Sequence, residues 1–252
     1  MKEGVLTSAI MECQGCTHRF LHTDEQSHKL TELSYTHDYV GFRIDPVFAV
    51  KARDAVECEL KPLVGGGRLL DVGCGNGEFL RVANEAGYSV RGVDISEPAI
   101  EKCKAQGFEA EVGDFPAMDF GETFDCITMW DVIEHLRDPV SFMEKARRSL
   151  NPGGVLFLKI PGFGPGIMPM AHVSPRLTRN VLSAPQHVQF FNPRSCEAAI
   201  ARAGFGRTVW FPPRRFRSKP ETRSIKRHIS RAATTLAARI CGAGNLLVAC
   251  LP

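Results

Sequence analysis

Three glycines, four aspartates and two histidines stand where this 252-residue sequence could do chemistry. Gly73, Gly75 and Gly77 lie in the run LLDVGCGNGEFL, directly behind Asp71. Asp94 follows in VDIS, Asp114 in GDF, and Asp131 in WDVIEHLRDP, which also carries His135. His187 comes later, in PQHVQFF. A turn built on glycine lets a ligand lie against bare backbone, and the N–H groups that open a helix lack partners of their own. Carboxylates accept hydrogen bonds from hydroxyl and amino groups, and an imidazole can take a proton near neutral pH.

The spacing of the glycines narrows the ligand. A dinucleotide fingerprint reads G-x-G-x-x-G because a pyrophosphate rests on the start of the helix. Here the third glycine is one residue early, and Glu78 stands where the last should be. A carboxylate beside a pyrophosphate would repel it. Asp71, just ahead of the turn, suits a positively charged amino group, which points to the methionine moiety of adenosylmethionine. The backbone of Gly73, Cys74, Gly75 and Gly77 would then cradle that ligand. Asp94 is placed to accept both ribose hydroxyls, and Asp114 the adenine amino group. Each aspartate has a plainer role open to it: Asp94 as a helix cap, Asp114 as a turn residue. Their common placement at consecutive strand ends favours the ligand.

Methyl transfer from a sulfonium is an in-line displacement, so a protein must mainly align the partners and sometimes remove a proton. His135 and His187 are the candidate bases, against structural roles as a hydrogen-bonding or lid-anchoring residue. Cys74 is not read as a nucleophile, because no activating base stands beside it in the sequence.

These residues need a scaffold of strands ending at one edge. Short apolar runs at 68–72, 89–94, 109–112, 124–129 and 155–160 alternate with helical patterns at 77–86, 97–106 and 138–150. Ser96 and Pro98 open the second of these helices and Gly107 closes it. A further helix is expected at 194–203, with two last strands at 208–211 and 246–250. Such alternation predicts an α/β fold: a Rossmann-like, seven-stranded, mostly parallel sheet with helices on both faces. An additional helix at 44–61 precedes it, with Val47, Val50, Ala55 and Leu60 at mixed spacings, and residues 151–154 read as a turn. Residues 1–40 form an N-terminal extension and 41–252 the main domain. Within that domain 161–190, crowded with glycine and proline, read as a lid, and 214–241 as a basic helical insertion.

Composition sets the frame. The sequence is 44% hydrophobic and 23% charged, ordinary for a globular chain. A net charge of +3 is too small to argue for nucleic acid as a whole-protein partner, which is not expected. Nine scattered cysteines suit free thiols in a reducing compartment. No signal peptide or bilayer-length apolar run is seen, so a cytoplasmic location is expected. The basic charge is uneven: residues 214–231 hold eight Lys or Arg and one Glu. In 223–240, Ile225, Ile229, Leu236 and Ile240 share one helical face. Such a helix either lies on anionic lipid at the inner membrane face or, more commonly, packs on the sheet. The oligomeric state is not legible.

From about Gly67 to Gly162 the chain resembles the core of class I S-adenosylmethionine-dependent methyltransferases. DVGCGNG resembles their first motif, VDIS the acidic motif that follows, and GDF the adenine-side motif. FDCITMWDVIEHLRDP and LNPGGVLFLKIP resemble the fourth and fifth strands. Residues 185–205 are similar to bacterial small-molecule methyltransferases of the ubiquinone type and to those encoded with surface-polysaccharide genes. The resemblance implies a ligand pocket made by Asp71, Gly73, Gly75, Asp94, Ile95, Asp114, Phe115 and Asp131. It implies O-methylation of a small or lipid-linked acceptor, a sugar or quinone-like phenol. RNA methylation, supported only by the basic stretch, and a non-catalytic cofactor-binding scaffold are the alternatives. Cys13-x-x-Cys16 resembles the second half of a zinc ribbon whose first half is missing. Zinc wants four ligands, so it reads as a relic turn and no metal site is expected.

Overall fold

The computed structural model describes residues 10–22, 48–166, 169, 172–174, 181–183, 186–211 and 244–252. The basic insertion at 214–241 and much of the expected lid lie outside the described residues.

A seven-stranded sheet forms the centre. In chain order its strands are β3 (Gly67–Val72), β4 (Tyr88–Asp94), β5 (Glu109–Val112), β6 (Phe124–Trp130), β7 (Leu150–Gly162), β9 (Arg207–Phe211) and β10 (Gly244–Leu251). They lie in the order β5-β4-β3-β6-β7-β10-β9. The first five are parallel, and β10 runs antiparallel to both its neighbours. The chain leaves β3 toward β4 on one side and leaves β6 toward β7 on the other. The crevice between the carboxyl ends of β3 and β6 is therefore the topological switch point.

Alternation along the strands sends residues to two cores. Leu70, Val72, Ile127, Met129, Leu156 and Leu158 pack on one face with Met143 and Ala146 of α4 (Pro139–Ser149) and Cys196 and Ile200 of α5 (Pro193–Arg202). Leu69, Cys126, Val155 and Phe157 pack on the other, with α1 (Phe48–Ala55) and α2 (Glu78–Glu85). The remaining helix, α3 (Glu97–Ala105), covers β4 and β5. Asp138 caps α4 by accepting from the Ser141 N–H at 3.1 Å. At the start of α5, Asn192 and Ser195 cap each other reciprocally.

Two expected elements differ in detail. The first helix closes in a π turn, Val56–Leu60, with Lys61 N–H donating to the Val56 carbonyl. The wider turn shifts the buried face to Ala52, Ala55, Val56 and Leu60 and leaves Val50 exposed. The turn at 151–154 lies inside β7. Phe124 pairs with Leu150 and Cys126 with Val155, so the extra residues bulge out of the ladder, with Gly153 at φ +79°.

A second, three-stranded sheet joins distant parts of the chain. β1 (Ile10–Glu12) and β2 (Arg19–Leu21) form an antiparallel hairpin, and β2 pairs with β8 (Gln189–Phe190). Cys13 and Cys16 sit at the hairpin's turn with free thiols.

Candidate functional site

The glycine turn follows β3 as expected. Gly73, Gly75 and Gly77 all hold φ between +53° and +83°, the left-handed region that side chains resist. The N–H groups of Gly73 and Cys74 both donate to the Val93 carbonyl, at 2.8 and 3.1 Å, folding the turn over the end of β4. Close packing adds to the need for glycine. A Cβ on Gly73 would lie 2.6 Å from Cγ2 of Val132. The Cys74 side chain points inward beneath the turn, so only its backbone faces the ligand edge.

Asp94 ties the turn to the next helix. Its Oδ2 accepts from the Gly75 N–H at 2.9 Å and its Oδ1 from the Ser96 N–H at 2.9 Å. Burial raises its pKa, and the N–H groups of Ser96, Gly75 and Ile95 oppose that rise. Both structural and ligand roles are open to it, since each carboxylate oxygen has a second lone pair. Ile95 beside it is 42% exposed, an apolar surface at the same edge. Asp114 is exposed and caps nothing in the short turn Phe115–Ala117. The Phe115 ring packs into the core against Phe120 and Phe142, turned away from this edge. Asp71 is set deeper than its neighbours, at 2% exposed. Burial first, with Asp94 adding, pushes its carboxyl up to about 8, while the Thr128 hydroxyl holds it down.

These groups fit an adenosylmethionine. A backbone cradle, a carboxylate at the second strand end, an exposed apolar side chain and a third carboxylate all line one edge. No phosphate-binding cation stands among them.

Around the end of β6 the structure assembles a second group. Asp131 adopts φ +53°, and Lys159 of β7 holds both its carboxylate oxygens. Past it, the turn Ile133–His135 places Glu134 fully buried, with neither oxygen in a hydrogen bond. Burial, then Asp131, keeps Glu134 well above the usual carboxylate range. His135 and His187, 52 residues apart in sequence, meet edge to face with ring centroids 4.7 Å apart. Nδ1 of His135 pairs with the Gln186 carbonyl at 2.9 Å, so that nitrogen carries the proton and Nε2 is the basic one. Nε2 lies 3.9 Å from the Glu134 carboxylate. Nδ1 of His187 is buried without a hydrogen bond. Burial, then His135, holds His187 down to about 3, so it is neutral. One ligand atom from each of Glu134, His135 and His187 lies within 4.8 Å of the others, a grouping able to hold a proton or a metal ion.

The glycines, Asp94, Ile95, Asp114, Asp131 and His135 lie at or just past the strand ends, whereas His187, read from the sequence as part of a lid, lies just ahead of β8 and meets His135. Thr128, Lys159 and Glu134 were missed. Lys159 belongs to an apolar strand and Glu134 to a helix-like motif, and only the parallel register of β6 and β7 brings them together. Glu134 next to His135 is the one signal for this group that the sequence carries.

Comparison with known proteins agrees with this architecture. A family model described as a methyltransferase domain matches residues 47–207. A ubiquinone biosynthesis O-methyltransferase of Chelativorans sp. is 33% identical over 181 residues, 64% of this chain and 70% of that one. A 27-O-demethylrifamycin SV methyltransferase of Amycolatopsis mediterranei is 33% identical over 114 residues, 40% of this chain and 42% of its own length. Among solved structures, a phosphoethanolamine N-methyltransferase 2 of Haemonchus contortus shares the fold at a TM-score of 0.61, with 20% identity over 93% of this chain and 62% of that chain. A SAM-dependent methyltransferase of Archaeoglobus fulgidus does so at 0.55, with 16% identity over 87% of this chain and 98% of that one.

Proposed function

Because this chain belongs to the S-adenosylmethionine-dependent methyltransferases, we propose that it methylates an oxygen of a small or lipid-linked acceptor, a sugar hydroxyl or a quinone-like phenol. The observation that carries this reading is the half-buried pairing of His135 with His187 past the carboxyl end of β6. A phenol or alcohol must lose a proton as its oxygen is alkylated, and a neutral imidazole is the group to receive it. Two relatives named as O-methyltransferases, or as acting at a 27-O position, support the choice of oxygen.

S-adenosylmethionine, when bound, supplies a methyl group on a sulfonium. Asp94 would take the ribose hydroxyls, Ile95 would pack on the adenine, and Asp114 would accept from its amino group. The turn from Gly73 to Gly77 and Asp71 would face the methionine end. Asp131, held by Lys159, would stand between that end and the histidines. His187, or His135 through Nε2, would hold the proton lost by the acceptor hydroxyl, with Glu134 beside them as a second proton site.

The test is methyl transfer to a panel of sugars, a polyprenyl-substituted catechol and RNA, alongside calorimetry with S-adenosylhomocysteine and NAD. We expect binding of the first nucleoside only and transfer to a hydroxylated small molecule. His187→Ala should lower turnover about 100-fold or more while leaving adenosylhomocysteine affinity within about threefold. Unchanged turnover in that variant rejects the base.

A second reading is favoured by the 4.8 Å grouping of Glu134, His135 and His187. Two imidazoles and a carboxylate match the donor set of a catalytic divalent metal ion. A bound ion would acidify the acceptor hydroxyl in place of a base. Stoichiometric metal in purified protein, lost in Glu134→Gln and with activity abolished by chelation, would select this reading.

Contact of residues 223–240 with anionic lipid is part of the same proposal for a lipid-linked acceptor. Among the described residues no helix is long and apolar enough to cross a membrane.

A further inference from the structure

The hairpin β1–β2 is bound to the segment that carries His187. Phe20 pairs with Gln189 and Arg19 with Phe190, and the Leu21 N–H donates to the Val188 carbonyl at 2.8 Å. The far side of this segment is held by the turn bearing the other two members of the cluster. Val188 N–H donates to the Glu134 carbonyl at 2.8 Å, and the Gln186 carbonyl pairs with His135. Residues 186–189 are thus a strip clamped between the hairpin and the catalytic turn.

One side-chain chain crosses the whole clamp. The Gln189 amide nitrogen donates to the carbonyls of Leu136 and Arg137, at 2.9 and 3.3 Å, directly after His135. Its Oε1 therefore faces the other way, to Nε2 of His18 at 2.7 Å. An amide oxygen only accepts, so His18 must donate. Both side chains are buried or nearly so. The His18 ring also packs on Phe191 at 4.8 Å. The hairpin itself is pinned at several points. Asn192 donates to the Thr17 carbonyl at 3.1 Å, Arg194 to the Gly15 carbonyl at 3.1 Å, and Arg19 to the Gly164 carbonyl at 3.2 Å.

We infer that the N-terminal hairpin is a working part of the acceptor side, with His18 and Gln189 as positioning residues that hold His187 against Glu134 and His135. The inference rests on the reading that this cluster faces the acceptor. Among the described residues no hydrogen bond of the His18 or Gln189 side chain reaches the glycine turn or Asp94, so cofactor binding should not depend on them. The backbone of the turn that begins at Cys13 delivers His18. Cys13 N–H donates to the His18 carbonyl at 2.8 Å and Thr17 N–H to the Cys13 carbonyl at 2.9 Å.

The test compares two substitutions at one position in the full chain. His18→Phe keeps a ring on Phe191 and loses the donor; His18→Gln loses the ring and keeps an N–H for Gln189. We expect amide exchange at Val188 and Gln189 to quicken about tenfold or more in His18→Phe and to stay near wild type in His18→Gln. Turnover of the polyprenyl-substituted catechol should fall about ten- to hundredfold in His18→Phe, with adenosylhomocysteine affinity within about twofold. Gln189→Glu, which keeps the acceptor for His18 and loses the donor to Leu136 and Arg137, should match His18→Phe. The reverse order at His18, with Phe tolerated and Gln damaging, would reduce the residue to packing and overturn the inference. So would wild-type exchange in Gln189→Glu. If the wild-type protein leaves the catechol untouched, the acceptor proposal fails, and the exchange pattern still decides the role of the hairpin.

Discussion

The hydroxyl of Thr128 donates to the carboxylate of Asp71 across 2.6 Å, between residues that pair in adjacent parallel strands. This is the one hydrogen-bond donor that meets Asp71 among the described side chains, and it does not offset the burial that lifts the carboxyl to about 8. The sign of the resulting pH dependence follows. An unfolded aspartate titrates near ~3.9, so below about pH 4 both states are protonated. Between about pH 4 and 8 the native state keeps a proton that the unfolded state has lost. Stability should therefore fall as pH rises through that window, by up to about 1.4 kcal/mol per pH unit from this group, and level off above 8. Asp71→Asn should lack this slope and unfold at a higher temperature than wild type at pH 8. Calorimetric melting of both proteins from pH 5 to 9 measures it, and parallel curves would contradict the burial argument. A cationic ligand group beside Asp71 should also bind better as pH rises toward 8.

Asp94 differs from Asp71 in being met by backbone N–H groups rather than by a hydroxyl. Replacing it with alanine removes two acceptors at once, from the turn and from the start of α3. Hydrogen bonds to a charged group contribute about 1.5–3 kcal/mol each. Asp94→Ala should lower stability by about 2–4 kcal/mol and weaken adenosylhomocysteine at least about 100-fold. Asp94→Asn should lose less stability, because its amide oxygen still accepts one of the two bonds. Calorimetric titration settles the ligand role: affinity within about threefold in Asp94→Asn would leave this residue as a cap and nothing more.

Gly73 and Val132 link the two halves of the site. With φ +74° and Val132 Cγ2 only 2.6 Å from where a Cβ would sit, Gly73→Ala meets two separate penalties. The left-handed backbone costs a side chain about 1–2 kcal/mol, and the overlap adds about 1–3. Val132→Ala should recover the second penalty and leave the first. A double-mutant cycle on melting and on adenosylhomocysteine affinity reads the two apart. Additive effects would mean the turn relaxes away from β6 and that the contact is not a constraint.

Much of this was legible in the sequence because it is local. The glycine turn, the strands from β3 to β7 and the start of α3 at Ser96 and Pro98 each follow from neighbours in the chain. The carboxylates at consecutive strand ends could be placed at one edge because a parallel sheet allows nothing else. What could not be read is what joins distant segments. Lys159 looks like an interruption in an apolar strand until β6 and β7 are set in register. His18 and Gln189 are separated by 171 positions, and no spacing relates a hairpin of polar residues to a two-residue strand. The π turn after α1 escaped for the opposite reason: it is local, but a 3.6-residue period cannot represent a wider turn.

Lys159 offers the last measurement. Its ammonium holds both oxygens of Asp131, yet the Asp131 side chain is 42% exposed, so solvent screens the pair. Lys159→Met should thus cost only about 1 kcal/mol of stability from the lost pair. The larger effect should be electrostatic and local. Asp131 already raises the carboxyl of Glu134, and Lys159 opposes that. Without the lysine, the Asp131 carboxylate loses its cation and the Glu134 carboxyl is pushed higher still. Turnover should fall, and Asp131→Asn in the same chain should restore part of it by removing the uncompensated charge. If Lys159→Met and the double variant are equally active, Asp131 and Lys159 form a surface ion pair with no bearing on the histidines.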